Sequence, residues 1–192
     1  MSAAPARIDL LRHGDTGHAG FRGQLDDPLT GLGWRQLRAA VAAGEWDVVV
    51  SSPLRRCADF ARAHADAHGL PLRLEPRLAE YRFGAWEGVP MQELADTQGE
   101  ALGRFWADPL RFPPPGAESI EAFAARLTGA LDAIVADHAG RRVLVPTHGG
   151  AIRLLRCLAE GRPLRAMSDY DVGHASLHRL EWADRPAVPG AA

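Results

Sequence analysis

Short apolar runs that end in turn residues set the rhythm of this chain. Ile8 to Leu11 leads into Arg12-His13-Gly14, Val48-Val49-Val50 into Ser51-Ser52-Pro53, and Val143 to Val145 into Pro146-Thr147-His148-Gly149-Gly150. Runs this short, partly β-branched and bounded by Gly, Ser or Pro, predict buried strands. Weaker strands are expected at Leu72 to Leu74 and near Ser176 to Leu180. Apolar residues at three- and four-residue spacings, such as Phe123, Leu127, Leu131 and Ile134, predict helices over Leu32 to Ala43, Leu54 to His68, Ile120 to His138 and Ala151 to Leu158. Buried strands alternating with crossover helices give the α/β class, a three-layer α/β/α sandwich around a mostly parallel central sheet.

One segment breaks the alternation. Between Tyr81 and Glu118, Phe83, Trp86, Phe105, Trp106 and Phe112 crowd among Gly84, Gly88, Gly103, Pro109 and Pro113-Pro114-Pro115-Gly116. These aromatics either line a small helical and loop lid over a substrate pocket or pad a small helical subdomain, and the lid is the reading taken.

Length and composition narrow the class. At 192 residues with 46% hydrophobic and 24% charged, the chain suits one domain over 1–192, with a frayed tail at about 186–192. A net charge of −2 argues against blanket neutralisation of nucleic-acid phosphates, and no uncharged apolar run reaches the length of a membrane span. Met1 to Ala6 lacks the basic and long apolar stretches of an export signal, which predicts a cytoplasmic location. All 22 basic residues are Arg, and Lys and Asn are absent, a pattern of coding bias. Each Arg therefore needs a positional argument. Cys57 and Cys157 have no metal-ligand spacing and are expected to be reduced, half-buried thiols.

Two strands finish in a histidine followed by glycine, at His13 and His148. In an open α/β sheet the ligand crevice lies beyond the carboxyl ends of the strands, so neighbouring strands would bring both rings together there. His18, His64, His68, His138, His174 and His178 have no such context and are read as surface or hydrogen-bonded core residues. Arg12 and Arg56 could join the two histidines around a tetrahedral anion, because Arg offers a planar fork of donors and His can donate or act as nucleophile. Gly14 and Gly149 would let backbone N–H groups approach that anion, with a helix from about Gly149 pointing its positive end at it. Glu80 is the best-placed proton donor, and Arg55 is read as a solvated helix position.

Several segments occur in a telling order: Arg12-His13-Gly14-Asp15-Thr16, Pro28-Leu29-Thr30 with Gly33, Ser51-Ser52-Pro53-Leu54-Arg55-Arg56, Glu80 with Phe83-Gly84 and Trp86-Glu87-Gly88, Pro115-Gly116-Ala117-Glu118-Ser119, and Thr147-His148-Gly149-Gly150. Together they resemble the histidine phosphatase superfamily, in its phosphoglycerate-mutase-like branch. The resemblance implies that His13 is a nucleophile forming a phosphohistidine, and that Arg12, Arg56 and His148 bind the phosphoryl oxygens. It also implies that Glu80 protonates the leaving alkoxide and then deprotonates water. No metal or cofactor is implied.

The chain departs from the family in two places. Ala19 stands where Asn is frequent, and Phe60 where Thr is common. The loop with Arg22 and Gly23 borders the phosphate in the family, so Arg22 either reaches over Ala19 to the vacated oxygen or points to solvent. The short aromatic lid favours hydrolysis over mutase activity and resembles that of α-ribazole phosphatases, which act in cobalamin biosynthesis. The alternatives are a broad-specificity sugar or glycolytic phosphate phosphatase, a mutase-like enzyme, or an inactive phosphate-ester binder. The expected partner is a small-molecule phosphate ester, with neither nucleic acid nor membrane, and a homodimer is the assembly kept in view.

Overall fold

The computed structural model describes residues 4–182, so the expected tail at about 186–192 lies outside the described residues. Its strands are β1 (Arg7–Arg12), β2 (Val48–Ser51), β3 (Leu72–Leu74), β4 (Arg142–Thr147) and β5 (Leu177–Leu180), forming one sheet in the order β3-β2-β4-β1-β5. All pairings are parallel except β5, which runs antiparallel to β1.

The helices are α1 (Gly31–Val41), α2 (Arg55–His68), α3 (Met91–Ala107), α4 (Ile120–Asp137) and α5 (Gly149–Ala159). Alternate strand residues feed two separate cores, as the two-residue period of a strand requires. Ile8, Leu10, Val48, Val50, Val143 and Val145 pack towards α4, α5 and the 81–118 segment. Leu11, Val49 and Leu144 pack towards α1 and α2 with Trp46 and Phe60. No helix among the described residues is long and apolar enough to cross a membrane.

The predicted strands and helices form, with ends displaced by a few residues. Helix α5 begins at Gly149, with His148 as its N-cap, two residues before the apolar pattern at Ala151. The sequence pattern missed α3 altogether. Gly99 and Gly103 dilute its apolar stripe, and its turn is broken at Gln98, whose side chain accepts from Trp86 Nε1 at 3.0 Å. Both cysteines are free and buried, a correction to the half-buried expectation.

Candidate active site

Parallel pairing of β1 with β4 sets Arg12 opposite Thr147, so the next residue of each strand leaves the sheet at the same level. His13 and His148 therefore meet, with ring centroids 5.4 Å apart. His13 Nδ1 lies 2.8 Å from the Gly14 carbonyl, which can only accept; Nδ1 carries the proton and Nε2 the lone pair. Burial pushes His13 well below the usual histidine range, and the Arg56 charge pushes it the same way. The ring is held neutral, the form that can attack.

His148 is fully buried and does not line the cavity. Its Nδ1 accepts from Arg56 Nε at 3.2 Å, which leaves the proton on Nε2 for Ser52 Oγ at 2.7 Å. Burial, then the Arg56 charge, lowers this ring too. Nothing in the sequence marks Ser52 as the partner of that ring, although it lies inside the Ser51-Ser52-Pro53 motif. Cys57 Sγ sits 3.7 Å from His148 Nε2, but burial pushes its thiol up to about 12.

Arg56 enters from the first turn of α2 and is completely buried. Three of its N–H groups go to His148, the Leu25 carbonyl at 2.6 Å and the Gly23 carbonyl at 2.6 Å. A guanidinium has five donors, so two remain at the cavity it lines. Arg12, the last residue of β1, spends NH1 on the Val172 carbonyl at 2.5 Å, while its buried Nε has no protein partner. A buried donor left unpaired by the protein, beside a neutral nucleophile, suits an anionic group.

Glu80 follows a 3₁₀ turn over Pro76–Leu78 and is 8% exposed. Its carboxylate accepts from the backbone N–H of Gly150 at 2.9 Å, Ala151 at 3.1 Å and Tyr81 at 2.9 Å. Of the N–H groups at the start of α5, those of Gly150 and Ala151 are thus occupied by Glu80. A Cβ at Gly150 would lie 2.6 Å from Glu80 Oε1, so only glycine admits the carboxylate there. Gly149 lines the cavity as expected, but Gly14 does not. Gly14 is glycine because a Cβ would meet the Gly33 carbonyl at 2.3 Å. Thr30 caps α1 by accepting from Gly33 N, and also donates to Asp15 Oδ2, so the quoted Pro-Leu-Thr motif holds the His13 loop against α1.

Arg22 lines the cavity and is held there by an acidic partner. Its guanidinium forms a two-point ion pair with Asp27 at 2.7 and 2.9 Å, on the cavity edge and 17% exposed, while Ala19 is exposed. Gly23 also lines the cavity and contributes its carbonyl to Arg56. Phe60 points away, stacked on His64 in the other core, so the Thr-to-Phe departure does not touch the site. His174, expected to be a surface or core histidine, has its ring 5.7 Å from that of His13 and lines the cavity, as does His18. Neither had a distinguishing neighbour in the sequence.

Above this polar floor stands an aromatic wall around a cavity of about 230 Å³. Phe21 is its hub, stacked on Phe83 at 4.2 Å and approached by Phe105 at 6.0 Å and Trp106 at 5.7 Å. Phe21, Phe83, Phe105 and Trp106 face the cavity, whereas Trp86 is buried behind them. Rings of the 81–118 segment thus both line the cavity and pad the core behind it. Arg153, one turn into α5, also lines the cavity and donates Nε to the Tyr170 carbonyl at 3.0 Å. Among the described residues, no three His, Cys, Asp or Glu side chains are grouped to hold a metal ion.

The chain matches the family described as the histidine phosphatase superfamily (branch 1) over residues 8–188. It is 36% identical over 183 residues to the bifunctional protein of Mycobacterium tuberculosis, covering 92% of this chain and 47% of that protein. It thus spans about half the length of such curated relatives. The native structure of the mycobacterial glucosyl-3-phosphoglycerate phosphatase superposes with a TM-score of 0.83 at 30% identity, over 91% of this chain and 89% of that one. The α-ribazole phosphatase from Shigella flexneri superposes with a TM-score of 0.76 at 26% identity, over 91% and 90%. The chain belongs to the histidine phosphatase superfamily, branch 1.

Proposed function

We propose that this chain is a metal-independent phosphomonoester hydrolase of the cytoplasm that works through a phosphohistidine. The observation that carries the reading is a neutral His13 with its lone pair on Nε2, beside two arginines that still have unused N–H donors. In this mechanism Nε2 attacks phosphorus and the ester P–O bond breaks. Arg12 and Arg56 neutralise the equatorial oxygens, the electrostatic part that a metal supplies in other phosphoryl-transfer enzymes. Glu80 is the group that passes a proton to the departing alkoxide. Water then attacks the phosphohistidine while Glu80 takes a proton from it, and inorganic phosphate leaves. His148 acts by orienting Arg56 through Nδ1, with its own phosphate contact requiring release from Ser52.

For the substrate we favour the 5′-phosphate of α-ribazole or its cobalamin-linked form. Phe21, Tyr81, Phe83, Phe105 and Trp106 line the cavity, and a flat heterocycle can stack on such rings. A second reading rests on Arg153, whose guanidinium would suit an ester bearing a carboxylate, as glucosyl-3-phosphoglycerate does. A panel containing both esters and simple sugar phosphates, ranked by kcat/KM with EDTA present, separates the readings. Failure to hydrolyse any ester, or dependence on an added divalent ion, overturns the mechanism.

A further inference from the structure

The motif Pro115-Gly116-Ala117-Glu118-Ser119 has no part in the chemistry above. Ser119 caps α4 by accepting from Ala122 N at 3.1 Å, which starts the helix two residues after Glu118 and brings Arg126 beneath the backbone of residues 77–80. Arg126 spends all five guanidinium donors within the protein. NH1 goes to the carbonyls of Arg77 at 2.8 Å and Ala79 at 2.6 Å. NH2 goes to the Glu80 carbonyl at 2.9 Å and Glu118 Oε1 at 2.6 Å, and Nε to Glu118 Oε2 at 3.1 Å. The fork lies over the Phe123 ring, 4.7 Å from its centroid, so it is fixed on its face as well as along its edges.

Between the turn ending at Leu78 and the one starting at Gly84 the chain forms neither helix nor strand. Carbonyls in such a stretch have no ladder to accept from, and a buried one must find a donor elsewhere. Arg126 supplies three donors from one rigid plane. The Glu80 carbonyl receives a second bond from Gln24 Nε2 at 3.2 Å, so both of its lone pairs are engaged. Glu118 closes the arrangement by accepting from Arg82 N at 2.9 Å, while Tyr81 Oη donates to the Glu118 carbonyl at 2.6 Å. One side chain thereby pins the entry and exit of the 81–118 segment together with the backbone of the proton donor.

We propose that Arg126 is a positioning residue for Glu80: its fork, anchored on Glu118, fixes the backbone from which the Glu80 carboxyl reaches the leaving oxygen. This rests on the hydrolase reading above. Lys would keep the charge but cannot replace a five-donor plane, because its ammonium presents its hydrogens from a single point.

The test compares two esters of similar size on the purified full chain, p-nitrophenyl phosphate and phenethyl phosphate. The first leaves without needing a proton; the second leaves as an alkoxide. Arg126→Lys is expected to lower kcat/KM, which reports the phosphorylation step alone, about tenfold more for phenethyl phosphate than for p-nitrophenyl phosphate, a part of the range for lost general-acid catalysis. Inhibition by inorganic phosphate should be unchanged, and adding Glu80→Gln to Arg126→Lys should cost little more. If Arg126→Lys does not fold, Glu118→Gln loosens the same fork and should give the same leaving-group-selective loss at smaller size. Equal losses on both esters, or full additivity with Glu80→Gln, would show that Arg126 only holds the fold. A wild-type chain inactive on both esters would instead remove the hydrolase reading, and this proposal with it.

Discussion

The floor and the wall of the cavity are built on different principles. On the floor each polar side chain has its orientation set by a hydrogen bond: His13 by the Gly14 carbonyl, Arg56 by two carbonyls, and Glu80 by three backbone N–H groups. The wall has rings held by other rings, and Trp106 remains 38% exposed. Hydrogen bonds fix direction as well as distance, whereas ring packing tolerates exchange at similar volume. In such a molecule reaction type belongs to the floor and substrate choice to the wall. Floor substitutions should act on kcat, and wall substitutions on KM.

His13→Ala should give the largest effect, a loss of kcat of roughly a million-fold, the scale seen when a catalytic nucleophile is removed. A phosphate donor should leave that variant unlabelled, whereas label at another residue would move the nucleophile elsewhere. Glu80→Gln comes next, lowering kcat/KM, which reports phosphorylation alone, about a hundred- to ten-thousand-fold on alkyl esters and little on p-nitrophenyl phosphate. Equal losses would take Glu80 out of proton transfer.

The floor should also leave a mark on stability. His13 and His148 are held neutral in the fold, with values well below the 6.5 that each has in the unfolded chain. As pH falls through that value the unfolded chain takes up protons that the folded chain refuses, so stability is full above it and declines below it. Urea midpoints at about pH 7.5 and about pH 5 measure this, and His148→Gln should flatten the difference. On the wall, Trp106→Ala should raise KM for aromatic esters about two- to tenfold, the usual worth of a ring contact, with kcat nearly intact. A loss confined to kcat would break the division between floor and wall. Arg22→Ala should be the mildest, below tenfold in kcat/KM, because Asp27 already holds that guanidinium. A larger loss, partly rescued by Ala19→Asn, would restore Arg22 as a phosphate contact.

What could be read from the sequence follows the same boundary. Strands ending in His-Gly were legible because a β-branched run followed by a turn is a local pattern, and the parallel sheet then brings His13 to His148 across 135 positions, from the register of Arg12 with Thr147. Arg126 was not legible, since its partners are carbonyls 46 to 49 positions earlier and a carbonyl has no letter of its own. Phe21 was hidden for a related reason: it lies outside the aromatic-rich segment, and only the fold makes it the hub of the wall. Helix α3 was masked by its glycines and by the break at Gln98.

The contact between Gly14 and Gly33 bears on how such a protein can change over generations. A methyl group at Gly14 would meet the Gly33 carbonyl at 2.3 Å, and one at Gly33 would meet the Asp15 carbonyl at 2.2 Å. Backbone cannot yield as a flexible side chain can, so even alanine at either position forces α1 away from the loop that carries His13. In a saturation survey of variants these two positions would be as intolerant as the nucleophile itself, without meeting a substrate. Intolerance would then trace the seam between α1 and the His13 loop as sharply as it traces the chemistry, and the ester panel, not the survey, tells the two apart.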